Sequence, residues 1–581
     1  PAIRKSAMHR SARFGFAAIV LVASCAKSSP TPAPAPSGGR AGAPPAAAPA
    51  PAPGRGSAVP AVDTSRYVRT TPATDATIRR IWDEGMNRSQ VMNLAQVLFD
   101  STGPRLINSD RYNAGQAWLM AKYKSWGITS EKQEWGTWTW WERGVTHLDL
   151  IAPRVRSLEA TMLAWSPGTG GKNVDAEVIL LPADTTARGI AAWLRDARGK
   201  FVLTPAPGIT GPGAPSPTCR SQANEVEFGA PGQWSSDSAK RIQWSNAYRA
   251  RLPKSPDTTA NGRRDFSFKW PADAGVAGIL STYYSGYPGT DKVFGNPRQA
   301  VPTVDVTCED WNLLYRLAEN KQHPRVRLNA EAKSLGEKPV FNVIAKIPGS
   351  DKANEYIVLS AHYDSWDAGS GATDNGTGTV AMMEALRIIK ATYPRPHRTI
   401  IVGHWGGEEQ GLLGSRAFVA DHPDIVNKVH MGWNQDNGTG RIQNLGPGPF
   451  TQATDRLVAY LKEMPVEATH ALKIGGVGPP GTGGSDHSSF QCAKSPVVGL
   501  GGVSWDYGNL TWHTNRDTYD KVVPEDLKGN AVLVAMLVYE ADRDPTLMPH
   551  DVIPTTVDAK GATVQINYTC PAFPRKTAEG R

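Results

Sequence analysis

Two apolar runs near the middle of this 581-residue chain each end in side chains that bind metals or move protons. Ile357–Ala361 leads directly to His362 and Asp364, and Thr399–Val402 is followed by Glu408 and Glu409. Imidazole nitrogen and carboxylate oxygen are the ligands of hydrolytic zinc, which keeps one position open for water. A pair of ions that share one hydroxide and polarise a carbonyl needs about five protein ligands, one of them a bridging carboxylate. His362, Asp374, Glu409, Asp436 and His513 offer such a set from successive segments.

Taken singly, each has an ordinary structural use. Asp374, ahead of Asn375-Gly376-Thr377-Gly378, suits a helix N-cap. Asp436, before Asn437-Gly438, suits a turn, and His513 suits a surface position. The elements that carry them decide between these uses. Ile- and Val-rich runs predict buried strands, and open α/β sheets place their sites outside the carboxyl ends of strands. The pattern predicts strands over Asn354–Ala361, Thr399–Val402, Val429–Trp433 and Val497–Leu500, and helices over Gly376–Tyr393, Leu413–Ala420, Thr451–Lys462 and Asn530–Asp542. That alternation argues for an α/β sheet of largely parallel strands. Toward the N-terminus it predicts two helices between Asp75 and Phe99 broken near Gly85, a turn at Gly103-Pro104-Arg105 and a helix over Ala114–Trp126.

The Trp-dense run Trp135–Trp141 reads as a strand packing its indoles against a neighbouring domain, or as the apolar wall of a substrate pocket. Short β-like runs follow at Ala176–Leu181, Lys200–Thr204, Ala277–Ser281 and Ala300–Val306, and a strand pattern resumes at Pro339–Ala345. The polar, Pro- and Gly-rich stretch Pro205–Asn261 is longer than a loop of a compact domain ordinarily is. Lys172–Asn329 is therefore expected to be an insertion.

The net charge of +9 does not indicate a nucleic-acid partner. Seven basic side chains and no acid fall in residues 1–62, which leaves +2 for the rest, and no basic stripe with interleaved aromatics stands out. The start has the form of an export signal: Met8, basic residues His9–Arg13, then an apolar core from Phe14 to Ala23 too short to span a bilayer. Its end, Val22-Ala23-Ser24-Cys25, is similar to a bacterial lipobox with Cys25 as the lipidated residue. Residues 26–62, almost wholly Ala, Pro, Gly and Ser, form a tether. Export permits disulfides among Cys219, Cys308, Cys492 and Cys570, whose pairing the sequence leaves open.

The linked motifs His362-Tyr363-Asp364-Ser365-Trp366-Asp367, Gly371-Ala372-Thr373-Asp374-Asn375-Gly376, Gly407-Glu408-Glu409-Gln410-Gly411, Asp436, Gly484-Ser485-Asp486-His487 and His513-Thr514-Asn515-Arg516-Asp517-Thr518 carry a resemblance. Over roughly residues 75–545 the chain resembles the co-catalytic di-zinc exopeptidases, the family of bacterial secreted aminopeptidases and glutamate carboxypeptidases. The resemblance implies an α/β, three-layer αβα zinc-exopeptidase (phosphorylase/hydrolase-like) fold. Its central sheet would be mixed and mostly parallel, and a β-rich protease-associated domain would be inserted. The expected organisation is a signal peptide with lipobox (1–25), a tether (26–62), peptidase domain (63–171 and 330–545), the inserted domain (172–329) and a tail (546–581).

By the same resemblance two Zn²⁺ ions are held, Asp374 bridging them, His362 and Asp436 completing one and Glu409 and His513 the other. Glu408 is the general base that activates the metal-bridging hydroxide, and Asp364 orients the His362 imidazole. Glu408 and Glu409 are expected to divide these jobs because neighbouring side chains on extended backbone point apart. Ser485, Asp486, His487 and Trp512 are expected at the substrate pocket. Trp512 stands where some relatives carry a Tyr that stabilises the oxyanion. The implied reaction is hydrolysis of terminal bonds in peptides or dipeptides, as an aminopeptidase or a carboxypeptidase/dipeptidase. The protein would be periplasmic, an outer-membrane lipoprotein or secreted, touch membrane only through its lipid anchor, and have room to form a homodimer.

Gly478–Ser485 imitates a phosphate-binding loop, but Gly484 stands where the lysine is required. Two rival readings of the same fold are a glutaminyl-cyclase-like acyltransferase with one zinc and a non-catalytic receptor-like member. Retention of all five ligands and the base opposes the second.

Overall fold

Two long antiparallel strands form the spine on which the rest of the sheet is built. In the computed structural model, which describes residues 62–68, 73–182, 187–205, 270–283, 287–296, 300–481, 483–558 and 561–571, fourteen strands join in one sheet. In chain order they are β1 (Thr129–Ala152), β2 (Arg156–Leu158), β3 (Ala160–Met162), β4 (Val174–Leu180), β5 (Phe201–Pro205), β6 (Gly278–Thr282) and β7 (Thr303–Val306). There follow β8 (Arg325–Ile347), β9 (Lys352–His362), β10 (Arg398–Trp405), β11 (Val429–Gln435), β12 (Ile442–Leu445), β13 (Lys473–Ile474) and β14 (Val497–Gly502). The expected export signal, lipobox and tether lie outside the described residues, as does all but the first residue of Pro205–Asn261.

The sheet order is β13-β12-β14-β11-β9-β10-β8-β4-β5-β6-β7-β3, with β1 alongside β8. Strands β14, β11, β9 and β10 are parallel neighbours, and β8 turns antiparallel to β10. The C-terminal part of β8 pairs with β10, its N-terminal part with β4, and β1 accompanies it along most of its length. Strands β4 to β7 run parallel to one another, and β3 closes that end antiparallel to β7. The sheet of residues 172–329 is thus continuous with the main sheet, and β3, from before residue 172, is its last strand.

Alternation along the central strands produces the three layers. Ile357, Leu359 and Ala361 of β9 face one core, with α1 (Ala76–Asn87), α2 (Asp110–Ser125) and Thr377–Thr392, here α3. Val358 faces the other, with Phe418 of α4 (Leu413–Asp421) and Phe490 of α5 (His487–Cys492). Both faces are covered, which is why these strands read as unbroken apolar runs. Helix α6 (Pro524–Arg543) completes the first layer. A disulfide joins Cys492, at the end of α5, to Cys570. Among the described residues no helix is long and apolar enough to cross a membrane.

Helix α1 does not break at Gly85; it runs on to Asn87, and the next helix starts at Val91. A Cβ at Gly85 would lie 2.2 Å from Val532 Cγ2 of α6, so glycine here permits close helix packing rather than a break. Trp135, Trp138 and Trp141 all point from β1 into a core shared with β4–β8. They are 1–2% exposed, so they form a packing floor rather than an open wall.

Candidate metal centre

The five expected ligand side chains meet at the carboxyl edge of the parallel strands. His362 ends β9, Asp436 follows β11, Glu409 lies in the turn after β10, Asp374 precedes α3, and His513 sits in the loop after β14. Their ligand atoms form two groups, His362–Asp374–Asp436 and Asp374–Glu409–His513, within each of which all lie less than 4.8 Å apart. Asp374 is common to both. Its Oδ1 is 3.5 Å from His362 Nε2, and its Oδ2 is 3.2 Å from His513 Nε2. Asp436 Oδ1 lies 3.3 Å from His362 Nε2, and Glu409 Oε2 lies 2.9 Å from His513 Nε2.

Local structure holds each group in place. The backbone N–H groups of Thr373 and Asp374 donate to the carboxylate of Asp517 at 2.7 and 3.0 Å. Asn375 donates to the Gln435 carbonyl at 2.7 Å and accepts from Gly378 N–H. Helix α3 starts only at Thr377 with no side-chain cap, so Asp374 is not its N-cap. Asn437, next to Asp436, accepts from Gly502 N–H of β14 at 3.0 Å and donates to the Leu500 carbonyl. His513 adopts a left-handed φ of +61°, unusual for a non-glycine residue and a form of strain found at functional sites. Its ring packs against Trp512, Phe294 and Trp366, with centroids 3.9, 4.9 and 5.9 Å away. Edge-on contacts from Trp366 to Trp165 and on to Trp138 connect it to the Trp-rich strand.

Asp364 acts differently from expectation. His362 Nδ1 lies 3.0 Å from the main-chain carbonyl of Asp364 and 3.8 Å from its carboxylate, so the carbonyl accepts the imidazole N–H and aims Nε2 at the acids. The Asp364 carboxylate instead accepts the backbone N–H groups of Glu408 and Glu409 at 3.2 and 3.3 Å. Residues 406–412 form a bend and turn rather than extended chain, with Gly407 at φ +75° against Trp135. The two glutamates part because this turn, pinned by Asp364, sends Glu408 to within 4.0 Å of His362 and Glu409 to His513.

The electrostatics are those of acids crowded out of water. Burial is the first cause that raises Glu408 well above the usual carboxylate range, with Asp436, Asp486 and Glu409 adding to it. Burial and Asp374 push Glu409 up to about 7. Burial alone would lower His362, but Asp436 and Glu408 carry it well above the usual imidazole range. Asp374 Oδ2, Glu409 Oε1 and His513 Nδ1 have no hydrogen-bond partner although buried. Unpartnered carboxylate oxygens of Asp374 and Glu409, in two groups completed by His362 and His513 nitrogens, fit a pair of zinc-sized cations.

Of the expected pocket residues, Ser485 accepts from Asn434 at 2.8 Å, while His487 Nδ1 lies 3.4 Å from the same amide. Asp486 is fully buried, and burial pushes its carboxyl up to about 7. Trp512 lays its ring face on His513. Sequence reasoning missed three residues. Tyr507 packs its ring against Gly438, two residues beyond Asp436, and burial, then the nearby Asp374 and Asp436, raise its hydroxyl well above the usual phenol range. Arg105, expected only as part of a turn, is wholly buried and donates to the carbonyls of Tyr363, Ser370 and Gly371 at 2.7–2.8 Å. Lys292 approaches from the β4–β7 region and lies over Trp512. Nothing in a Gly-Pro-Arg turn signals burial.

Two histidines and three carboxylates converging outside the strand ends of an α/β sheet suit a metal-dependent hydrolase, and the similarities that follow make it a zinc metallopeptidase. Residues 342–538 match the model of Peptidase family M28. Among curated relatives, carboxypeptidase Q of Mus musculus is 25% identical over 457 residues, 78% of this chain and 85% of the relative. That of Bos taurus is 27% identical over 466 residues, covering 79% and 86%. Among solved structures, a Peptidase M28 precursor from Shewanella amazonensis superposes with a TM-score of 0.59 at 22% identity, covering 82% of this chain and 98% of its own. BSAP, a zinc aminopeptidase from Bacillus subtilis, superposes at 0.50 with 18% identity, covering 78% and 94%.

Proposed function

We propose that the chain is an exported di-zinc exopeptidase that cleaves terminal bonds of peptides or dipeptides. The observation that carries this reading is the position of Asp374, whose two oxygens face the two histidines of separate ligand groups. His362 and Asp436 would hold one Zn²⁺, Glu409 and His513 the other, with Asp374 between them. When bound, the ions supply a polarised scissile carbonyl and an acidified water.

The remaining work falls to the chain. Glu408 takes a proton from the attacking water and returns it to the leaving amine, a role suited to a buried carboxyl whose raised affinity for a proton strengthens it as a base. Asp364 holds Glu408 in place through its backbone N–H. With Trp512 in place of tyrosine, we assign stabilisation of the developing oxyanion to the Tyr507 hydroxyl, which lies close enough to Asp374 and Asp436 to feel their charge. The β4–β7 region is proposed as a protease-associated domain bordering the site, and Cys25 as a lipid anchor. The similarity to carboxypeptidase Q supports a carboxypeptidase or dipeptidase. The aminopeptidase reading is supported by fold likeness alone. Assay of the zinc-loaded protein on free, N-blocked and C-blocked dipeptides tests the proposal: cleavage of at least one class is expected, and no cleavage of any would refute it.

A further inference from the structure

A buried arginine joins the two ends of the segment between His362 and Asp374. Arg105 is 0% exposed. Its Nε donates to the Tyr363 carbonyl at 2.7 Å, its Nη1 to that of Ser370 at 2.8 Å and its Nη2 to that of Gly371 at 2.7 Å. Its backbone joins the same segment through Ser365, whose N–H donates to the Arg105 carbonyl at 3.1 Å and whose hydroxyl accepts the Arg105 N–H at 3.0 Å. Tyr363 directly follows His362, and Gly371 stands three residues before Asp374. The guanidinium therefore closes the loop between two ligands whose Nε2 and Oδ1 lie 3.5 Å apart.

The chain comes close to itself at this point. Gly371 has a left-handed φ of +61°, and a Cβ on it would lie 2.4 Å from Ser365 and 3.0 Å from Arg105 Nη2. Buried carbonyls need donors. A planar fork of five N–H groups reaches several of them in fixed directions, which a lysine ammonium on its flexible stem does not. The Gly103 carbonyl, 3.1 Å from Nη1, is a fourth such partner. The side chain thus serves as a clamp on carbonyls and not as half of an ion pair.

The two ligand groups do not depend on this clamp equally. Asp517 accepts the backbone N–H groups of Thr373 and Asp374 and belongs to the loop of His513, so Asp374 is tied to His513 without Arg105. Nothing comparable ties Asp374 to His362, and the chain between those two is what Arg105 gathers. Resting on the di-zinc reading above, we propose that Arg105 is a positioning residue that sets the distance between His362 and Asp374. The metal held by His362, Asp374 and Asp436 then depends on it, and the metal held by Asp374, Glu409 and His513 depends on it far less.

The test measures zinc affinity by competitive chelation, one group at a time. His513→Ala leaves the His362 group, and Asp436→Ala leaves the His513 group. Adding Arg105→Lys to the first should weaken zinc binding by ~10–100-fold, the usual effect of losing a group that orients a ligand. Adding it to the second should weaken binding much less. Because lysine keeps the charge and loses the fork, an effect concentrated on the His362 group separates positioning from charge. Unchanged affinity of the His362 group, or an equal loss in both groups, would overturn the proposal. Ser365→Ala, which removes one bond of the clamp and spares the arginine, should act on the same group to a smaller extent. It decides by the same comparison where Arg105→Lys does not fold. If the wild type binds no zinc, the di-zinc reading fails separately. Hydrogen–deuterium exchange of the metal-free protein then decides the clamp: amides of residues 363–374 should exchange faster in Arg105→Lys than in the wild type, while those of β11 do not. Equal rates over 363–374, or an equal rise in both segments, would overturn it.

Discussion

The carboxylate of Asp517 holds the backbone N–H of Asp374 at 3.0 Å while its other oxygen holds that of Thr373 at 2.7 Å. The loop that presents the shared ligand is thus fixed by an acid four residues beyond His513, the ligand Asp374 faces. Groups that orient ligands typically contribute 10–100-fold to metal affinity. Asp517→Asn should therefore weaken zinc binding by ~10–100-fold. A competitive chelator titration checks this, and unchanged affinity would remove Asp517 from that role.

Glu408→Gln should leave zinc content unchanged and lower kcat by ~10²–10⁴, the contribution of a general base. Metal analysis alongside steady-state kinetics separates loss of the base from loss of the metal. Because Asp364 binds the backbone rather than the side chain of Glu408, the glutamine should occupy the same position.

Tyr507→Phe removes one hydroxyl and leaves the ring packed on Gly438. If that hydroxyl serves the oxyanion, kcat should fall by ~10²–10³ with KM little changed. A wild-type kcat in the variant would return the role to another donor.

A pH effect on stability follows from two buried acids behind the His513 segment. Burial, then Glu159 and Asp310, push Asp291 up to about 8 against the pull of Thr161 and Arg516. Burial, then Asp291, raise Asp305 well above its usual range, opposed by Lys292. The folded state thus keeps protons that the unfolded chain releases near pH ~4. Their contribution to stability is complete below that pH and is lost as the pH rises toward about 8. The Tm of metal-free protein is expected to fall between pH 5 and pH 8 through these groups, and Asp291→Asn should flatten the slope. An unchanged slope in the variant would contradict the assignment.

The central strands and the polar residues at their ends were legible because burial on both faces leaves an unmistakable mark. Ile357–Ala361 and Thr399–Val402 had no exposed face to dilute the apolar pattern, and the polar residues after them could only be at strand ends. The split between Glu408 and Glu409 was expected for the wrong reason, since a turn held by Asp364 lies 44 residues from its anchor. Gly85 resembled a helix break because sequence does not reveal that Val532 would collide with a side chain there. Arg105 and Lys292 were opaque for a related reason. A charged side chain reads as exposed until the carbonyls or rings that surround it, about 220 to 270 residues away, are brought together.

The central claim is that Asp374 is shared by two metals. Zinc content, measured by elemental analysis after reconstitution and removal of loosely bound ion, tests it most directly in wild type, His513→Ala and Asp374→Ala. The account predicts two zinc per chain in wild type, one in His513→Ala and less than one in Asp374→Ala. One zinc in wild type, or an Asp374→Ala protein that still binds two, would contradict it.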